Sequence, residues 1–493
     1  MTPKMKNDKG AVTVFFSAVM LILIAFFGAL LETARYRAFA SRLPQAVNAA
    51  ADSLLACYDS RLFAEYGLLY YDNRDPLMTD LMLRAFFEPE ADPGAGLIIK
   101  KPQLFKIEKP DITIKEGYSP VDNGGEDLFR QIMAIMKYQE AADIAEKLKS
   151  LIDGSENAQD IMDQAAKEGD ELEDTDWQEK ANELEKIDMG LTDEDEDPPP
   201  AFDGQVNERV KDDVGGSVIG QMENILAQEL LSQVLPGREI SNAVIESYAP
   251  DVEGSVEMEF YEKVLLGEYV LSYFGNINSP SGQGLAYEQE YILFGFSSDK
   301  VNLALTIKQL FYFRAGMDLI TIMVNKPLSS QAKGMAQMLV GWTGIPGLAG
   351  VVEIGLELAW AFGEAILDLR TITAGRSVPF YKKAAQFDST LATILSHVLS
   401  GDAASSENGG IGYEMYMRFF LYQKNDVVLP RIMHMIETNL RAEDKGFTFS
   451  KLLYGFKVSA SGTVRGLFFP AYRLYTEQSK EFVCSAESIR HYS

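Results

Sequence analysis

Apolar and polar positions follow two unlike patterns along this chain. From Ala11 to Leu31 the run AVTVFFSAVMLILIAFFGALL carries no charge, and Thr13 and Ser17 are its only hydroxyls. As a helix rising ~1.5 Å per residue it measures about 31 Å, the hydrocarbon thickness of a bilayer. A lone segment in lipid can satisfy its backbone only as a helix. Beyond Glu32 the pattern turns periodic. Leu43, Val47, Ala50, Leu54 and Cys57 recur at intervals of four and three, one face of an amphipathic helix. Pro44 is expected to kink or restart it. The pattern therefore predicts a membrane helix over 11–31 that continues as a stem over 32–72.

Further along, the stretch 97–152 begins with short alternating runs at Leu97–Lys115, broken by Pro102 and Pro110 in the manner of edge strands, and returns to helical period from Glu126. Residues 214–440 read as a helical domain. Its predicted helices are Gln221–Leu235, Val256–Phe274, Tyr287–Phe294, Val301–Val324, Ala332–Leu339, Val351–Thr373, Tyr413–Gln423 and Leu429–Leu440. Residues 447–493 form a terminal hairpin and tail, with β-prone residues around Ser459–Gly462. We expect that hairpin to pair with the strands near Leu97–Lys115, bringing the chain ends together. The fold class expected is α+β, mainly α.

Charge changes this picture in one place. Asp153–Asp203 holds 20 acidic and 3 basic residues, −17 of the chain's net −27, and runs into the block DEDEDPPP at Asp193–Pro200. Like charges followed by prolines read as a solvated linker or insertion over 153–213. A calcium loop fails there, because Pro198 and Gly204 occupy the glycine and bidentate-glutamate positions of an EF-hand. The acidic balance disfavours nucleic acid and anionic lipid headgroups as partners of the domain, since both require basic patches. Lys4, Lys6 and Lys9 precede the apolar run and Arg35, Arg37 and Arg42 follow it, so charge leaves orientation nearly even. The free amino terminus tips it toward a cytoplasmic tail (residues 1–10) and an extracytoplasmic bulk. The run exceeds the usual core of a cleaved signal and no small-residue cleavage site follows, so a retained single-pass anchor is expected in the cell membrane.

At the start of the chain the motifs are similar to a known group. Lys9-Gly10 before the apolar run resembles the cleavage site of type IV-type prepilins, which would cut between Gly10 and Ala11. Glu32-Thr33-Ala34-Arg35 resembles the Glu-x-x-Arg that closes the anchor in TadE/TadG-like proteins of the tight-adherence, or Flp-type, pilus machinery. LPQAVNAAADSLLA at Leu43–Ala56 is similar to the helix that follows in TadG-type chains. LAYEQEYILFG at Leu285–Gly295 and LDLRTITAGRSVPFYK at Leu367–Lys382 are similar to later stretches of a large uncharacterised family from Gram-positive anaerobes. One position departs: Phe15 stands where prepilins usually carry the Glu that pairs with a neighbour during assembly. The resemblance implies a minor pilin or accessory component, with lipid and other pilus or membrane-complex proteins as partners.

Candidate chemistry is sparse. Glu353, Glu357, Glu364 and Asp368 fall within about 60° of one another on a helix, a narrow carboxylate stripe. We read it as a solvated face, with a contact surface for a basic partner as the alternative. No Glu-x-x-His accompanies it, so no metal is expected. Glu288 and Glu290, two apart, point to different faces and make no acid–base pair. Arg431, His434 and Glu437 share a face, as a local charge network would. No zinc spacing, nucleophile elbow or nucleotide fingerprint occurs, so neither an enzyme nor a cofactor is expected. Met335–Val352 is apolar enough to raise a second span, but Pro346 and its glycines favour a buried loop. The two cysteines, Cys57 and Cys484, are candidates for one disulfide if the terminal hairpin folds back beside the stem. Two functions stay open: a structural pilus-type component, or a membrane-tethered binding module or sensor.

Overall fold

The structure is a computed structural model. It describes residues 9–85, 108–137, 229–245, 256–281, 284–340, 348–406, 410–424, 427–466 and 481–492, with isolated residues at 149, 252 and 254. The chain is α+β and mainly helical. It divides into two compact units, Met1–Asp122 with Thr448–Ser493, and Asn123–Phe447. The acidic stretch 153–213, the run Leu97–Ile107 and the residues 341–347 lie outside the described residues.

The first unit is built on α1 (Lys9–Leu55), a helix of 47 residues. Large apolar side chains from Val12 to Leu31 are exposed, whereas Phe39, Leu43, Val47, Ala50, Ala51 and Leu54 are buried. The helix does not restart at Pro44, which sits inside it on an exposed position. There the ring forfeits one backbone hydrogen bond, while its neighbours Leu43 and Val47 hold the helix against the core. After α1 come α2 (Ser60–Tyr66), β1 (Tyr71–Asp72), α3 (Pro76–Ala85) and β2 (Glu108–Tyr118). The unit closes with β3 (Leu452–Leu453), β4 (Gly455–Arg465) and β5 (Glu481–His491).

Segments near both ends of the chain make small antiparallel sheets, β1 with β3 and β2-β4-β5. Residues 459–462 are the middle of β4: Ser459 to Ser461 pair with Thr113 through Asp111 on one side, and Ser459 to Gly462 with Glu487 through Cys484 on the other. Strand alternation turns Phe456, Val458, Ala460 and Val464 onto the buried stripe of α1. Strand β5 runs in the same direction as α1. The Tyr36 ring lies on Phe482, centroids 3.6 Å apart. At the other end Arg490 pairs with Asp52, and the Tyr492 hydroxyl donates to the Leu55 carbonyl at 2.7 Å.

The second unit contains α4 (Glu126–Met136), α5 (Phe260–Tyr273), α6 (Glu288–Phe294), α7 (Asp299–Val324), α8 (Lys326–Val340), α9 (Leu348–Thr373), α10 (Ile394–Ser400), α11 (Tyr413–Gln423) and α12 (Val428–Glu443). Helix α9 packs against α7, α8 and α10, and α6 against α7, α11 and α12. Met335–Val340 is the last part of α8, so the apolar stretch expected to be a loop is helical on both sides of residues 341–347. Among the described residues only α1 is long and apolar enough to cross a membrane.

Candidate functional site

The end of the apolar run on α1 is a folded junction. Buried positions trace a stripe from Gly28 through Glu32, Arg35, Phe39 and Leu43, beginning one turn inside the run. Glu32 and Arg35 are 6% and 8% exposed, which removes them from bulk water. Arg35 Nη1 stands 3.5 Å from Glu32 Oε2, and the Tyr36 hydroxyl donates to Glu32 Oε1 at 3.0 Å. Gly466 lies over the same carboxylate, where an added Cβ would approach Glu32 Oε1 to 3.2 Å. Helix spacing of three and four puts all three side chains on the sheet side of α1. The Glu32–Arg35 pair thus sits beside the place where α1 meets the sheet, through Tyr36 on Phe482. Gly10 and Ala11 fall in the first turn of α1.

The carboxylate stripe of α9 is not a solvated face, nor a contact surface for an outside partner. Glu353, Glu357, Glu364 and Asp368 are all buried, the last two completely. The basic partners of Glu364 and Asp368 come from elsewhere in the same unit. Arg314 on α7 reaches Asp368 Oδ2 with Nε at 3.0 Å and Nη2 at 2.5 Å. Its Nη1 donates to the carbonyls of Pro379 and Phe380 at 2.9 and 2.8 Å. Lys382 Nζ bridges Glu364 Oε2 at 2.9 Å and Asp368 Oδ1 at 2.6 Å. Glu364 also accepts from the backbone and hydroxyl of Ser389, whose Oγ takes the Trp360 indole N–H at 3.3 Å. Asp318, one turn beyond Arg314, completes the group at 3.4 Å. The stripe turned inward because helices cover α9 on several sides and the loop after it supplies a lysine.

Within that cluster, Arg314 and Lys382 face three carboxylates, Asp318, Glu364 and Asp368. Burial disfavours charge on Lys382, but the carboxylates outweigh it and hold the ammonium protonated. The surplus falls on Asp318. Burial pushes its carboxyl up to about 7 against the pull of Lys382 and Arg314. Charges buried this way are costly unless paired, so the cluster locks α7, α9 and the 379–389 loop into one arrangement.

A second polar cluster surrounds α6, all seven of whose residues are buried. Glu288 accepts from Gly275 N at 2.7 Å and Asn439 Nδ2 at 2.6 Å. Glu290 accepts from Ile277 N at 3.0 Å and the Tyr413 hydroxyl at 2.6 Å. Burial raises the Glu290 carboxyl to about 7. Between them Gln289 ties Asn276 and the Phe274 carbonyl. The two glutamates thus brace a turn rather than face each other. The Arg431–His434–Glu437 face reaches beyond its own helix: Arg431 Nη1 donates to the carbonyls of Ile292 and Leu293, and His434 Nδ1 shares a hydrogen bond with the Tyr291 hydroxyl. Burial, helped by Arg441, lowers His434 to about 4, so the imidazole is neutral.

The candidate disulfide does not form, and both cysteines are free. Helix α1 ends at Leu55, so Cys57 leaves the stripe and is exposed, beside the Tyr492 end of β5. Cys484 lies near the Phe482 end, and eight residues of strand from Cys484 to Tyr492 span about 26 Å. A disulfide needs Cα atoms within about 7 Å.

Sequence reasoning missed Arg314, Asp318 and Lys382. A signal was present: Arg314 and Asp318 stand four apart and are the only charges from Gln309 to Val324. Both internal stretches singled out by resemblance, 285–295 and 367–382, supply these buried clusters; Arg370 adds bonds to the carbonyls of Gln233, Val398 and Asp402. Among the described residues no group of three or more His, Cys, Asp and Glu is placed to hold a metal.

Fold and polar core together define a mainly helical α+β protein with one apolar helix suited to a bilayer. The chain belongs to a family of unknown function, DUF5702, whose model matches residues 208–464. That match takes in α5 to α12 and β4 and leaves α1 outside. No curated protein and no solved structure matches the chain.

Proposed function

We propose that this chain is a membrane-anchored extracytoplasmic structural or interaction protein of the TadE/TadG-like kind. It serves as a minor pilin or accessory component of a Tad (Flp-type) pilus or secretion system and works by protein–protein contact, without catalysis. The observation that carries the reading is α1: one continuous helix, apolar and exposed over its first half, packed on an antiparallel sheet over its second. Lipid is the partner of residues 11–31, and the helical unit is what the anchor presents outside the cell membrane, with residues 1–10 in the cytoplasm.

Amino-terminal sequencing and intact mass of the chain, recovered from membranes of a host with its prepilin peptidase, test this. A new terminus at Ala11 supports the pilus role. An intact basic tail in the membrane fraction removes that role and leaves an anchored domain.

A further inference from the structure

We propose that the Phe482–Val483 end of the sheet is a second lipid-contact surface, seated in the headgroup zone of the bilayer that α1 spans. The inference rests on the membrane-anchor reading of α1. Three observations within one unit carry it. Phe482 and Val483 are 49% and 69% exposed at the start of β5, although large apolar side chains gain by leaving water. The Phe482 ring is fixed on Tyr36. Tyr36 stands five residues past Leu31, about 7.5 Å along a straight helix. The interfacial layer on each side of the hydrocarbon is about 5–7 Å thick, and a tilt of ~20° brings the pair closer still.

Gly466, just past the end of β4, lies against Glu32, the residue directly after the apolar run, so the folded unit reaches the edge of the lipid-facing segment. Tyr36 and Phe482 together place two aromatic rings at the level where amphipathic rings gather in membrane proteins, and Arg37, exposed beside them, offers a cation to lipid phosphate. Ile489 provides the contrast. It is 53% exposed on the same face of β5 as Val483, but lies six residues, about 20 Å, farther along the strand and away from the apolar run. No lipid contact is expected there. The bilayer thus holds the first unit at two places, one helix and one strand end, which restrains its tilt about the anchor.

Single cysteines at Val483, Ile489 and Ile24, in the full chain carrying Cys57→Ser and Cys484→Ala, are labelled with an environment-sensitive fluorophore. The chains are reconstituted in phosphatidylcholine vesicles bearing spin labels at the headgroup or along the acyl chain. Headgroup quenching at 483 about twofold or more above that at 489, with deep acyl quenching at 24, supports the proposal. Equal quenching at 483 and 489 beside a quenched 24 overturns it and leaves the anchor standing. No acyl quenching at 24 overturns the anchor reading and this inference with it. Should Val483→Cys fail to fold, Ser485→Cys on the same face replaces it.

Discussion

Asp318 is where burial and charge compete most directly. Its carboxyl titrates near 7 in the folded chain against an ordinary 3.8, so over that window the folded chain holds a proton that the unfolded chain has released. Its contribution to stability is complete below pH 4 and is lost as pH rises to 7. Glu290, raised to about 7 by burial, acts in the same direction, while His434, lowered to about 4, acts in the opposite one between pH 4 and 6.5. The net curve mixes all three, so the test is a difference. Asp318→Asn mimics the protonated acid and should match the parent near pH 4, then gain on it as pH rises to 8. Urea midpoints of the detergent-solubilised chain read this out, and parallel curves would refute the assignment. Lys382→Met leaves Glu364 and Asp368 short of a buried cation and should cost about 3–5 kcal/mol in the same unfolding measurement.

At the scale of the elements, helix contacts in the second unit are close enough to exclude a methyl group. A Cβ on Gly363 of α9 would fall 2.1 Å from Ile394 Cγ1 at the start of α10. Gly363→Ala should therefore destabilise by about 1–3 kcal/mol through overpacking. Combined with Ile394→Ala, the loss should be smaller than the sum of the two single losses, because the second change removes the obstruction. A double-mutant cycle by denaturation measures the difference; strict additivity would show that the two side chains do not meet. In the first unit Leu43, fully buried between α1 and the sheet, fills space that nothing else occupies. Leu43→Ala should cost about 2–5 kcal/mol in the unfolding midpoint, whereas Asn48→Ala, on the exposed face of the same helix, should leave it unchanged.

For the whole molecule, α1 couples two environments with one rigid rod. Removing residues 1–27 takes away most of the exposed apolar run but spares the buried stripe from Glu32 onward. The shortened chain should leave the membrane fraction on salt-free fractionation and still fold, as circular dichroism and a cooperative melt would report. Retention of the shortened chain in membranes would mean that attachment resides elsewhere in the molecule.

Several parts of this architecture were legible from residue order. An uncharged run of 21 residues states its own solvent, and the three-four spacing of Leu43, Val47, Ala50 and Leu54 states which face of the stem is covered. Helices α5 to α9, α11 and α12 followed the same logic, since period is a local property; α10 went unread, and residues 221–228 of the helix expected at Gln221–Leu235 lie outside the described residues. The pairing of β2 with β4 followed from alternation at both chain ends, although the second strand of the hairpin began only at Glu481. What failed depended on partners distant in sequence. The α9 carboxylates read as solvated because charge usually seeks water. Only the tertiary structure brings Arg314 from 54 residues away and Lys382 from the loop beyond α9 to make their burial tolerable. Convergence of the chain ends made the two cysteines candidates for a disulfide, and only the parallel course of α1 and β5 sets them at opposite ends. Each segment's local period and its preference for lipid, core or water are written in its own residues. Which buried charge meets which, and in what direction elements lie beside one another, was decided by packing, because those energies exist only between segments that folding has already brought together.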